Sequence, residues 1–293
     1  PLTVAGTFTQ DAGATLRMDI ASATQYARVA VQGRATLAGK LRVILLDDYE
    51  PPEGATVDVV TYTSVSGDFD PYTIPTWSGG RRTFEPDRRS AVLRLVSVAM
   101  VVRWDGEAGT RSWHDGLNWS TDAVPAAGDD VVIQLAGAIV EYATGTTALR
   151  SLACSQDFTL LGGTLTVATA SYVDGMFILS GGTLGGAGEF ALNGAAYWPA
   201  GTMQDGGTTV VGPQSLLTLS GADGKRLARE LLNEGTVDYT GSGLAFGSPA
   251  QPADGRILNA SDATFHVVGD GDIGMTAPGH TFTNDGELRH SGA

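Results

Sequence analysis

Gly162-Gly163-Thr164-Leu165 returns as Gly181-Gly182-Thr183-Leu184, and then as Ala200-Gly201-Thr202-Met203, so that the copies are evenly spaced along the chain. An interval of about 20 residues is too long for a hairpin and too short for a helical repeat, and it fits one coil of a β-solenoid. Within a copy the pattern is short strand, glycine turn, short strand. Alternation sends Leu165 and Val167 to one face and Thr164 and Thr166 to the other, so Leu165, Val167 and Leu184 are predicted to line the core.

Composition agrees with many short strands joined by turns. Glycine reaches 40 of 293 residues against 18 Lys plus Arg, and long helical patterns are absent, which predicts an all-β chain. A formal charge of -14 repels a phosphate backbone, so nucleic acid is not an expected partner. The same acidic, lysine-poor balance is common on secreted bacterial proteins. No apolar run reaches the roughly 18 residues of a membrane span. Cys154 is the sole cysteine, which excludes an internal disulfide and a cysteine-based zinc site; in Leu152-Ala153-Cys154 it reads as a buried apolar thiol. The chain starts at Pro1, as a processed product or a segment of something longer would.

Taken in order, residues 1–70 read as the terminal coils of a solenoid, interrupted by a protruding loop at Asp47-Asp48-Tyr49-Glu50-Pro51-Pro52-Glu53-Gly54. Residues 71–103 lose the glycine rungs; a turn at Ser78-Gly79-Gly80 and a turn-like Glu85-Pro86-Asp87 predict an antiparallel cap or linker in mid-chain. Residues 104–135 hold Trp104, Trp113 and Trp119 and read as a packed plug opening a second solenoid, whose coils fill 136–293. Leu231-Leu232-Asn233, Ile257-Leu258-Asn259 and Phe282-Thr283-Asn284 follow at nearly equal, somewhat longer intervals. Asparagines at one position of successive coils are expected to stack as a hydrogen-bonded ladder.

The run from Trp113 to Ile133, with Asn118-Trp119-Ser120, Pro125 and Gly128-Asp129-Asp130-Val131-Val132-Ile133, followed by the Gly-Gly-Thr-Leu rungs, resembles the repeat modules of very large bacterial surface and secreted proteins. The coils from Leu2 to Phe69, ending in Thr61-Tyr62-Thr63-Ser64 and Ser66-Gly67-Asp68-Phe69, resemble autotransporter-type passenger domains of adhesins. The resemblance implies a right-handed parallel β-helix and an adhesive or structural role outside the cell or on its surface. It carries no catalytic motif onto this chain, which is therefore expected not to be an enzyme.

Chemistry-bearing residues are sparse. The three tryptophans Trp104, Trp113 and Trp119 form either the plug or a stacking platform for surface glycans, and the platform underlies the alternative reading of a carbohydrate-binding or polysaccharide-degrading β-helix. Asp270 and Asp272, in Asp270-Gly271-Asp272, offer hard oxygen ligands for Ca2+ without the repeated nonapeptide of established calcium solenoids; no other cofactor is expected. Asp47-Asp48 and Asp129-Asp130 read as solvated or capping pairs, and Arg81-Arg82 with Arg88-Arg89 as a surface balanced by Glu85 and Asp87. His114, His266, His280 and His290 are scattered without metal-ligand spacing. The chain starts and stops within rungs, so Leu2, Val4 and Phe8 at one end and Phe282, Asn284 and Leu288 at the other are expected to form a self-assembly interface. The copies would join head to tail, as a covalent tandem or a filament.

Overall fold

A computed structural model describes residues 1–222, 224–247, 255–269, 272–274 and 279–292. Among these its regular structure is strand, with one 3-10 turn at Gly116–Asn118, and it forms a parallel β-solenoid. No helix among the described residues is long and apolar enough to cross a membrane. The chain divides into two compact units, Pro1–Met100 and Val101–Ala293.

In the second unit, one coil is three short strands, as in Ser151–Cys154, Asp157–Leu160 and Thr164–Val167, each stacked in parallel on the corresponding strands of the coils before and after it. The sequence repeat appears as register: Thr164 pairs with Thr183 and Thr183 with Thr202, while Leu165 pairs with Leu184 and Leu184 with Met203. Leu165, Val167 and Leu184 are fully buried. The turn between strands explains the glycines. Gly182 has a φ of 69°, and a Cβ there would lie 2.6 Å from the Gly163 carbonyl oxygen of the coil before.

Two columns of inward residues run through the second unit. One runs Ile133, Cys154, Val173, Leu192, Val211, Asn233, Asn259, Asn284. The other runs Val140, Phe158, Phe177, Ala196, Leu217, Val237, Phe265, Leu288. Burial of each Val, Leu or Phe in such a column contributes about 1.5–3 kcal/mol. The regular stacking is interrupted in Gly201–Val211, where the pairing to Lys225–Asn233 shifts between Gln204 and Thr208. Beneath that bulge lies Arg229, whose Nε and Nη2 donate to the carbonyls of Gly207 (3.0 Å) and Gly188 (2.8 Å), and burial pulls its pKa down to about 10.

The first unit stacks three parallel coils. Leu2–Val4 pairs with Val29–Val31 and that strand with Thr56–Thr61; Phe8–Thr9, Arg34–Leu37 and Ser64–Gly67 stack likewise, as do Thr15–Ile20, Lys40–Leu45 and Tyr72–Thr73. Then the direction reverses. Val92–Ala99 lies antiparallel to Thr56–Thr61 and to Arg82–Arg88, which in turn is antiparallel to Thr76–Trp77.

Two local expectations are corrected here. Glu85-Pro86-Asp87 is not a turn but mid-strand, Pro86 pairing with Leu95; the strand Thr76–Trp77 reaches only Thr83 and Arg82, so beyond it the ladder asks nothing of the N–H that Pro86 lacks. The loop after Lys40–Leu45 does not simply protrude. Pro51 is buried, and its carbonyl accepts from Trp77 Nε1 (3.1 Å) and Ser97 Oγ (3.3 Å), which fastens the loop to the antiparallel strands.

Candidate functional site

The residues that combine exposure with an inward orientation lie on the first and last coils. In the first unit Leu2 stacks on Val29 and Val29 on Val60; the latter two are 4% and 0% exposed, whereas Leu2 is 60% exposed. Val4 and Phe8, on Val31 and Ala35, are only partly buried. In the second unit Leu288 stacks on Phe265, which is fully buried, yet Leu288 is 54% exposed. Phe282 is partly buried over Ile257, its ring edge-on to Phe265 at 5.0 Å. Each of these side chains therefore faces a core direction and has an apolar neighbour on one side of the stack.

Asn284 lies on the last coil too. Asn233 Nδ2 donates to Asn259 Oδ1 and Asn259 Nδ2 to Asn284 Oδ1, both at 2.7 Å, and the ladder is also tied into the turns: Asn233 Nδ2 reaches the Thr264 carbonyl (2.9 Å) and Asn259 Nδ2 the Glu287 carbonyl (3.1 Å). Asn284, exposed, donates to the Gly286 carbonyl at 3.0 Å. The expected ladder is thus present.

The tryptophan platform is overturned. Trp113 and Trp119 are fully buried and Trp104 is 6% exposed. Trp119 is edge-on to Trp104 and Trp113 at ring separations of 5.0 and 4.6 Å, Trp113 also meets Tyr142 and Phe158, and Trp119 Nε1 donates to the Trp113 carbonyl at 2.8 Å. Rings packed against one another offer no face on which a sugar could stack. The tryptophans extend the apolar core that the coils continue.

Asp270 lies outside the described residues. Asp272 is exposed, and its backbone carbonyl accepts from Tyr239 Oη at 2.7 Å. Among the described residues no group of three or more His, Cys, Asp or Glu side chains is placed to hold a metal. The other acidic pairs divide. Asp129 accepts from the Ala126 N–H at 2.8 Å as a turn cap, while Asp130 binds the Arg150 guanidinium and Ser151 Oγ. Asp47 and Asp48, both left-handed at φ 53° and 52°, border a groove of about 490 Å³ with Tyr49 and Trp77. The arginines are held in place: Arg82 by Glu53 (3.2 Å), Arg88 by Asp68 (3.7 Å) and Arg89 by Asp87 (2.7 Å). Cys154 is fully buried, and that burial pushes its thiol up to about 12, away from nucleophilic chemistry.

One grouping escaped the sequence reading. His266 Nδ1 lies 3.3 Å from Asp238 Oδ1, and His266 Nε2 lies 2.6 Å from Ser291 Oγ. The three residues sit on three successive coils, 28 and 25 residues apart, and only the register brings them together. No family model, curated protein or solved structure matches the chain, so what places it is the coil geometry itself, that of a parallel β-solenoid.

Proposed function

We propose that this chain is a structural or adhesive module of an extracellular bacterial protein, a unit whose solenoid faces stack head to tail on further copies. One observation carries the reading: the strands of both units are stacked coil on coil in parallel, a contact that a further solenoid unit can continue. Stacking one coil on another removes apolar surface from water and gives partners to edge strands, two gains that favour the same contact. A contact between two different faces is heterologous, so it propagates from copy to copy unless it closes into a ring. The resemblance to autotransporter-type passengers supports the extracellular setting, and the acidic surface agrees with it.

The carbohydrate-acting alternative has lost the platform on which it stood. Sedimentation velocity over a wide concentration range tests the proposal: the 293-residue chain is expected to associate, with Leu2→Asp and Leu288→Asp each weakening association. A chain that stays monomeric throughout overturns it.

A further inference from the structure

The strand Lys40–Leu45 is paired over different lengths on its two sides. On the coil before, it follows Thr15–Ile20 to the end, with Val43 on Met18, Ile44 on Asp19 and Leu45 on Ile20. On the coil after, the ladder stops at Arg42 on Thr73. Pro75, which has no N–H to give a strand, follows shortly after Thr73, and the chain then leaves the coil for the antiparallel pair of Thr76–Trp77 with Arg82–Arg88. Among the described residues, 43–45 are thus left without a strand partner on that side, and a groove of about 490 Å³ opens between them and Pro75 and Trp77. Ligand sites typically span roughly 300–1,000 Å³, which this groove matches. Both neighbouring coils are present, so the gap comes from where one strand stops inside the first unit.

The walls of the groove differ in character. Leu45, Tyr49 and Trp77 supply apolar surface, and Trp77 is fixed in place by its hydrogen bond to the Pro51 carbonyl. The rim is acidic. Asp47 and Asp48 are the central residues of a turn closed by the Tyr49 N–H on the Leu46 carbonyl at 3.0 Å, Glu50 follows, and all of these carboxylates are exposed. The ion pairs of this unit join Arg17 to Asp19, Arg82 to Glu53, Arg88 to Asp68, Arg89 to Asp87 and Arg94 to Asp58; among the described residues none engages Asp47, Asp48 or Glu50. Their charge is met by solvent and by whatever enters the groove.

An occupant must match both the edge and the rim. An open strand edge takes an extended backbone, whose N–H and C=O groups continue the ladder. Uncompensated carboxylates repel an acidic segment and lose hydration beside a neutral one, whereas Lys or Arg pairs with them while its aliphatic stem lies on Leu45 and the rings. We propose that this groove binds an extended basic segment of a partner protein, which adds as a strand beside residues 43–45 and sets its cationic side chains against Asp47, Asp48 and Glu50. The site lies within one copy of the chain, so it stands apart from the stacking of one copy on another.

The experiment uses the 293-residue chain and, as probe, a fluorescein-labelled hexapeptide of alternating Lys and Val followed by fluorescence anisotropy. Saturable binding is expected, and none for the counterpart of alternating Glu and Val. Asp47→Asn combined with Asp48→Asn is expected to weaken binding about fivefold or more at an unchanged melting temperature, because Asn, like Asp, tolerates the left-handed backbone of this turn. Glu50→Gln lies outside the turn and is expected to weaken binding as well, which keeps the test open should the double variant fold poorly. Removing exposed carboxylates elsewhere, by Glu234→Gln combined with Asp262→Asn, is expected to leave affinity unchanged. Methylating every backbone nitrogen of the probe is expected to abolish binding. A parent chain that does not bind the probe, or rim variants that bind it as the parent does, overturns the proposal. Equal weakening in the Glu234 and Asp262 variant would assign the attraction to the overall charge of -14 and overturn it too. Undiminished binding of the methylated probe would show that cationic groups are held without strand addition, which overturns the assigned partner.

Discussion

Asn233 Nδ2 donates to Asn259 Oδ1 at 2.7 Å across two stacked coils, in a column whose earlier rungs are Ile133, Cys154, Val173, Leu192 and Val211. The column changes from apolar to amide without leaving the core, since Asn233 and Asn259 are both fully buried. Burying an amide is tolerable only when its donors and acceptors are met, and the stack meets them: each amide takes a neighbour in the column and a turn carbonyl beside it.

Asn259→Leu is therefore expected to cost more than its apolar character suggests. It leaves the Glu287 carbonyl, Asn233 Nδ2 and Asn284 Oδ1 each short of one partner. A loss of about 1–3 kcal/mol in unfolding free energy is expected by urea titration, the cost of stranded buried polar groups. An unchanged midpoint would mean that the ladder adds nothing beyond volume.

Replacing Trp113 by Ala removes the ring that Trp119, Tyr142 and Phe158 all pack against. The expected destabilisation is about 3–5 kcal/mol, as for other buried aromatic truncations. Added oligosaccharides are expected to leave the tryptophan fluorescence of the parent chain unchanged. A saturable change with a defined glycan would restore the binding reading that burial removes.

The repeat, the inward leucines and the asparagine ladder were legible because each depends on one interval that can be counted directly, such as the step from Leu165 to Leu184. Features that depend on comparing coils of different lengths were not. Arg229 is buried because a bulge between Gln204 and Thr208 displaces the local register, and a bulge leaves no spacing signature in a glycine-rich strand. Pro86 read as a turn because proline cannot donate to a ladder; what the sequence does not show is where the neighbouring strand stops. The tryptophans were ambiguous for a different reason. Composition shows that large rings cluster, while only the packing shows which face they turn to solvent.

Acid is expected to weaken the first unit through Asp58. Arg94 Nε lies 2.6 Å from Asp58 Oδ1 and Nη2 lies 3.2 Å from Oδ2, across an antiparallel pair. Hydrogen bonding to that guanidinium holds the Asp58 carboxyl below the ordinary value of 3.8. The Arg150 guanidinium does the same to Asp130 in the second unit. A carboxyl depressed in the folded state binds protons more readily once unfolded, so its contribution is fully present above the unfolded value and is lost as pH falls through the folded one. Stability of the parent relative to Asp58→Asn is expected to hold from neutrality to about pH 4 and to shrink below it. Parallel denaturant titrations at pH 7 and pH 3 check this, and a gap that widens on acidification would reverse the assigned sign.

The line of Asp238, His266 and Ser291 has the connectivity of an acid, a base and a hydroxyl nucleophile. With His266 carrying its proton on Nδ1, that nitrogen donates to Asp238 and Nε2 accepts from Ser291 Oγ at 2.6 Å. Nucleophilic catalysis also needs donors placed around a developing oxyanion in a site that excludes water. Ser291 instead ends a strand, Glu287–Ser291, in which every residue is exposed. The arrangement ties three successive coils together. Ser291→Ala is expected to cost at most about 1 kcal/mol, the worth of an ordinary exposed hydrogen bond. A fluorophosphonate probe is expected to leave Ser291 unlabelled, and hydrolysis of p-nitrophenyl acetate is expected to be the same for the parent and Ser291→Ala. Labelling at Ser291, with ester hydrolysis lost in Ser291→Ala and in His266→Gln, would show that this face carries out acyl transfer and that the module is an enzyme.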